Sequence, residues 1–213
     1  MEALVGSISW SWKGVFLAKP HEGDTRSKII ELARELTQTN SFNWLSYQDL
    51  SNRLDIRKAS IHYHFPTKAS LGVELVKDYR KRFAEWVTEI LKTNPSAPVA
   101  LNAYIDIFRK FICNSERVCP GGILSLEWNT LPEEMKKEAK CFFADHRKFL
   151  DQILREGRSS GSIQSVGTVE EQIAFVGSTI QGAIQFSRVF GSDTTFNMVM
   201  EQLRTAVMTR GNL

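Results

Sequence analysis

The sequence has no apolar run approaching the roughly 20 residues that a membrane-spanning helix requires. The longest candidate, around Ile173 to Ile184, is broken by Gly177, Ser178, Thr179 and Gln181, so neither a membrane span nor a membrane partner is expected. A secretory leader is not expected either. Leu4 to Leu17 is apolar in outline, but Glu2 stands where a basic start is needed and Lys13 interrupts the run, which makes the expected location cytoplasmic. Cysteine is scarce, and Cys113, Cys119 and Cys141 include no close CxxC pair. That spacing excludes a disulfide framework and an ordinary structural zinc site. Histidine is scarce too. His62 and His64 are two apart and point to different sides of a helix, so no metal site and no cofactor is expected.

Charge of one sign is nearly absent as an excess, because 27 Lys/Arg face 24 Asp/Glu. Its placement is informative. Residues 24 to 94 hold 12 Lys/Arg against 9 Asp/Glu, whereas residues 95 to 213 balance at 13 against 13. An excess this small does not by itself argue for nucleic acid, so a motif has to carry that claim. The 42% hydrophobic and 24% charged composition fits a folded chain, with one core or one core plus a small module.

Residues 1 to 23 show no sustained period and read as an extension. From Asp24, a candidate N-cap, Ile29, Ala33 and Leu36 recur at helical spacing until Gln38-Thr39-Asn40. Ser46-Tyr47-Gln48-Asp49 opens a short second helix with an apolar face of Tyr47, Leu50 and Leu54. Asp55-Ile56-Arg57 interrupts it. Lys58 to His64 then forms a short third helix that ends where Pro66 pushes Phe65 out of helical geometry. Thr67 caps a long fourth helix, with Leu71, Leu75, Tyr79, Phe83 and Trp86 on one side, down to Asn94-Pro95.

Beyond Pro98 helices are expected over Val99 to Cys113, from Cys119, over Pro132 to Glu156, over Val169 to Val189 and over Thr194 to Met208. No stretch alternates as a strand does, so the chain reads all-α. The expected organisation is an extension at 1–23, a three-helix helix-turn-helix domain at 24–70, a connecting helix at 71–95, and a second helical domain at 96–213.

Two short helices joined by a tight turn can place one of them, here Lys58 to His64, in a major groove about 12 Å wide. Ile61 and Phe65 would face the core, with Ala59 packed behind the turn. That leaves Arg57, Lys58, Ser60, His62 and Tyr63 free for phosphates and base edges, with base reading concentrated at Lys58, Ser60 and His62. Ser46 and Thr67 head helices, where free amides favour a phosphate, and Gln48 lies beside them. The run Phe42, Ser46-Tyr47-Gln48-Asp49-Leu50 and Ile56 through Leu71, with its exit Tyr63-His64-Phe65-Pro66-Thr67-Lys68, resembles the DNA-binding domain of the TetR family. The resemblance covers about residues 25 to 75. It implies that residues 24–70 are a helix-turn-helix DNA-binding domain and residues 96–213 a helical ligand-binding and dimerisation domain, in an effector-responsive repressor bound as a homodimer to a palindromic operator, with Tyr63 and Lys68 as phosphate clamps. Two positions depart from the family pattern: Asp55 stands where glycine is usual, and Arg57 where a capping serine is common. Aspartate tolerates left-handed geometry, so the turn should survive.

In the second half, Cys119-Pro120-Gly121-Gly122-Ile123-Leu124-Ser125-Leu126-Glu127 resembles an electrophile-sensing branch of the same family. A thiol at a helix start could be activated by the dipole, although a buried, inert cysteine is the commoner fate of an unpaired one. No lysine follows Lys148, so a switch that pairs Cys119 with one from the final helices is excluded. Phe108, Trp128, Phe143 and His146, with neighbouring aromatics, are candidates to line an effector pocket; such stripes are core more often than ligand site. Ile173, Val176, Ile180, Ile184, Phe196, Val199 and Leu203 are candidates for a four-helix dimer interface, the alternative being that they close the monomer core. A thiol enzyme using Cys119 would need a base nearby, and no motif supplies one. A nonspecific architectural DNA binder would lack a short reading helix.

Overall fold

The computed structural model describes residues 24–109, 111–112 and 117–212, which form an all-α chain. The extension at 1–23 and Cys113 lie outside the described residues. Asp24 caps α1 (Thr25–Thr39) by accepting the Ser27 N–H at 3.0 Å. Ser46 caps α2 (Tyr47–Leu54) by accepting the Asp49 N–H at 3.1 Å. The third helix, α3, spans Lys58–His64. Thr67 and Ser70 form a reciprocal capping box at the head of α4 (Lys68–Lys92). The starts of α1, α2 and α4 are each set by a side chain that satisfies amides the helix cannot pair internally.

The second half contains α5 (Ala97–Arg109), α6 (Pro120–Leu126), a 3-10 turn at Trp128–Thr130, α7 (Glu133–Ser159), α8 (Val169–Phe190) and α9 (Thr194–Val207). α7 runs past the break expected at Gly157, because there glycine is a packing device. A Cβ at that position would stand 2.9 Å from the Ala97 Cβ, so the missing side chain lets α7 cross the start of α5 closely. The loop after α7 is pinned to the end of α9 by the Ile163–Met208 bridge and by Gln164 N–H donating to the Val207 carbonyl at 2.8 Å. Among the described residues no helix is long and apolar enough to cross a membrane.

Two apolar clusters meet on α4. Its first half puts Leu71, Leu75, Val76 and Tyr79 among Ile29, Leu36, Phe42, Leu50, Ile61 and Phe65 of the first three helices. Its second half puts Phe83, Trp86 and Ile90 among α5, α7, α8 and α9. Leu124, Met135 and Phe142 of the second half also enter the first cluster. At Gly72 a Cβ would come within 2.7 Å of both Met135 Sδ and the Phe42 ring, so α4 admits α7 and the helix-turn-helix at one spot. A buried side chain of this size contributes about 1.5–3 kcal/mol. The two halves are therefore welded along α4 and α7 rather than strung on a linker.

Candidate functional site

The turn between α2 and α3 closes through Asp55, which holds φ 51° and ψ 46° at the end of α2. The Ile56 N–H donates to the Ser51 carbonyl at 3.2 Å, and the Ser51 hydroxyl donates to the Ile56 carbonyl at 2.6 Å. Arg57 occupies the N-cap of α3 without capping it, which leaves its guanidinium on the surface.

α3 is anchored by Ile61 and Phe65, both fully buried. Around the rest of its surface Arg57, Lys58 and His62 are exposed, Ser60 is half-buried, and Tyr63 is 84% exposed. Ala59, expected behind the turn, is on the outer face. Tyr47 of α2 holds the far end of α3: its hydroxyl donates to the Phe65 carbonyl at 2.7 Å, and its ring meets His62 edge-on at 4.8 Å. Desolvation raises the Tyr47 pKa to about 12, so this phenol stays a donor at neutral pH. Tyr47 was legible only as an apolar-face residue; its hydroxyl role needed the three-dimensional arrangement.

The helix heads are less open than expected. The Ser46 hydroxyl is bonded to the Asp49 carboxylate, Thr67 is engaged in its capping box, and exposed Gln48 donates to Asn52 at 2.7 Å. Lys68 also turns inward. Its Nζ donates to the Asn43 carbonyl at 2.8 Å and stands 5.0 Å from the Phe42 ring centroid, and partial burial pushes its pKa down. A clamp aimed outward at phosphate does not match that geometry; Lys68 is a strut under the α1–α2 loop.

Asn43, which the sequence did not single out, joins that loop to the second half. Its N–H donates to Glu127 Oε2 at 3.2 Å and its Nδ2 to Thr130 Oγ1 at 2.7 Å. A further bond runs from the Val118 N–H to the Gln38 carbonyl at 2.6 Å. Residues 118–130, which carry α6, thus grip the end of α1 and the loop before α2.

The other end of α6 borders a cavity of about 300 Å³, whose walls include Tyr104, Phe108, Cys119, Phe142, Phe143, His146, Ile173, Ile180 and Gln181. Phe108, Phe143, His146 and Cys119 come together there. Trp128 does not: it sits beyond α6 against the first cluster, with Lys140 Nζ 6.0 Å from its ring. Cys119 is only 2% exposed, and the Gln181 amide is 3.6 Å from its sulfur. Activated thiols are usually partly exposed, and Cys119 is instead buried at the cavity wall. Exposed Cys141 lies elsewhere on α7.

His146 stacks on Phe83 with centroids 3.8 Å apart, and its Nδ1 is 3.0 Å from the Tyr104 hydroxyl. Desolvation pushes its pKa down to about 3, which keeps the ring neutral.

The expected dimer residues are corrected by the fold. Ile173, Val176, Ile180, Ile184, Phe196 and Leu203 are buried in the protomer's own core, and Val199 packs against it. The six buried ones offer no surface to a second chain, and Val199 is half-buried. The strongest apolar stripe of each helix is consumed by the fold, and a weaker one remains outside: Phe175, Phe186, Val189, Phe190 and Met198 are all exposed.

The family model described as bacterial regulatory proteins, tetR family, matches residues 29–75, and the tetracyclin repressor-like C-terminal domain matches residues 98–203. The chain is 24% identical over 194 residues to the uncharacterized HTH-type transcriptional regulator YxaF of Bacillus subtilis, covering 89% of this chain and 98% of that one. A TetR-family regulator from Agrobacterium tumefaciens superposes with a TM-score of 0.81 at 28% identity, over 86% of this chain and 97% of that one. The reduced form of Escherichia coli NemR superposes at 0.77 with 19% identity, over 87% and 98%, a likeness of fold alone. With both domain models matched in order, the anchored α3 in the first and the all-helical second half in the other, this chain belongs to the TetR family of DNA-binding transcription regulators and is not an enzyme.

Proposed function

We propose that this regulator is a cytoplasmic homodimeric repressor that leaves a palindromic operator when a small molecule fills the α6 cavity. The observation that carries the reading is that one stretch, residues 118–130, borders the cavity at Cys119 and holds the DNA-reading half at Asn43 and Gln38. An occupant that displaces the start of α6 strains those bonds and moves α3 relative to the body. It loosens DNA binding only in proportion to its preference for the displaced state.

On the DNA, Lys58, Ser60 and His62 read bases, while Arg57 and Tyr63 reach phosphates from the same exposed face. Ser46, Gln48 and Thr67 flank it with amides and hydroxyls. The second copy docks on the outer stripe of α8 and α9, where Gly182 has nothing within 4 Å of a Cβ and exposed Phe175, Phe186 and Met198 need cover. A twofold pair of α3 helices addresses half-sites about one helical turn, roughly 34 Å, apart. Selection from random duplexes with the purified protein tests this. Enrichment of a palindrome with half-sites about one turn apart is expected; recovery of unrelated sequences overturns it.

A further inference from the structure

The cavity is apolar almost throughout, and its most informative feature is what its few polar atoms lack. His146 Nε2 is buried and has no hydrogen-bond partner among the described residues. On the ring's other side, the Tyr104 hydroxyl has His146 Nδ1, at 3.0 Å, as its one partner among the described residues. Tyr104 is itself buried, and burial raises its pKa, so it carries its proton.

That proton has one place to go. If Nδ1–H donated to the tyrosine oxygen, the phenol hydrogen would be buried without an acceptor, a costly arrangement. Donation from the phenol to Nδ1 satisfies both atoms. A neutral imidazole carries a single proton, so it then sits on Nε2. Stacking on Phe83 at an interplanar angle of 15° and contact with Phe142, centroids 4.6 Å apart, fix the ring's direction.

We propose that the cavity takes a neutral, single-ring aromatic compound bearing a carbonyl, whose oxygen accepts the His146 Nε2–H while its ring lies among Phe108, Phe142, Phe143 and Ile180. The proposal rests on the cavity being the effector site. Size favours one ring, since about 300 Å³ is at the low end of the range for ligand pockets. Neutrality follows from the lining: among the described residues Arg147 is the one charged residue on it, and it is exposed to solvent. A ligand without an acceptor would leave the buried donor unpaired.

The test uses ligand-observed NMR titration of the full chain with acetophenone, ethylbenzene and benzoate. Acetophenone is expected to bind about tenfold or more tighter than ethylbenzene, the difference a buried donor makes when left unpaired. Benzoate is expected to be weakest. His146→Phe should erase the preference of acetophenone over ethylbenzene while retaining binding of both. In the unliganded wild type, ¹⁵N-edited NMR of the imidazole should show a protonated Nε2 and bare Nδ1, a readout that survives if the variant fails to fold. Equal binding of acetophenone and ethylbenzene, tighter benzoate, or an Nδ1–H ring overturns the proposal. If none of the three probes binds, the cavity reading beneath it fails instead.

Discussion

Lowering the pH from 7 to 5 should destabilise this protein through His146. The buried ring holds a proton with a pKa of about 3 in the folded chain, against 6.5 for an unperturbed imidazole, and desolvation is the main cause. As the pH falls, the unfolded chain takes up this proton first. The stability His146 contributes is therefore complete above about 6.5 and is lost progressively toward 3. At about 1.36 kcal/mol per unit of difference, roughly 2 kcal/mol is gone by pH 5, and about 4 kcal/mol by pH 3. Asp24 and Glu171 add little in this window, because each accepts a backbone N–H at a helix start and is held below the ordinary carboxylate range. Urea denaturation of wild type and His146→Gln at both pH values measures the effect. Glutamine stays neutral and can still accept from Tyr104. The wild type should lose about 2 kcal/mol more than the variant between pH 7 and 5. An equal loss in both proteins would refute the argument and mean that the ring is solvated or already charged in the folded chain.

Other consequences follow from single contacts. Tyr47→Phe removes the bond that ends α3 and should cost about 1 kcal/mol, lowering Tm by roughly 2–4 °C in a chain of this length, as scanning calorimetry can measure. Asp55→Gly relieves a left-handed residue and should raise Tm slightly, whereas Asp55→Ala should lower it by a few degrees; the reverse order would contradict the turn geometry. Lys68→Met should destabilise the fold yet leave the salt dependence of DNA binding unchanged. A clamp on phosphate would instead flatten the slope of log K against log salt by about 0.9 per lost contact. N-ethylmaleimide followed by peptide mapping should label exposed Cys141 well before buried Cys119, and acetophenone should slow Cys119 further.

The front of the molecule was legible because local chemistry dictates it. Asp24, Ser46 and Thr67 each satisfy helix-start amides by themselves, and Pro66 ends α3 whatever surrounds it. Asp55 was expected to adopt left-handed geometry, and it does. The rear was legible only as helices. Periodicity shows that α8 has an apolar stripe; it does not say whether Ile180 meets its own core or another chain, and the core claimed it. Trp128 was a pocket candidate and Tyr104 was not singled out, but a 3-10 turn carries Trp128 away while α5 points Tyr104 at His146. Spacing held one usable clue: Tyr104 and Phe108 are four apart, as are Phe142 and His146, so each pair shares a helix face. Asn43 and Lys68 work across the fold between residues 25 apart in sequence, a pairing that only the tertiary arrangement supplies.

The central claim is that the exposed face of α3 reads base sequence while the rest of the first domain holds it in place. The most direct measurement is the ratio of specific to nonspecific duplex affinity at fixed salt, in wild type and in Lys58→Ala/His62→Ala, using the palindrome selected by the wild type. Both residues are exposed, and circular dichroism checks that the variant, which loses the His62–Tyr47 ring contact, keeps its fold. The ratio should fall by about tenfold or more for each lost base contact, with nonspecific affinity reduced far less. An unaltered ratio, with both affinities falling together, would show that α3 merely touches the DNA backbone and would contradict the account.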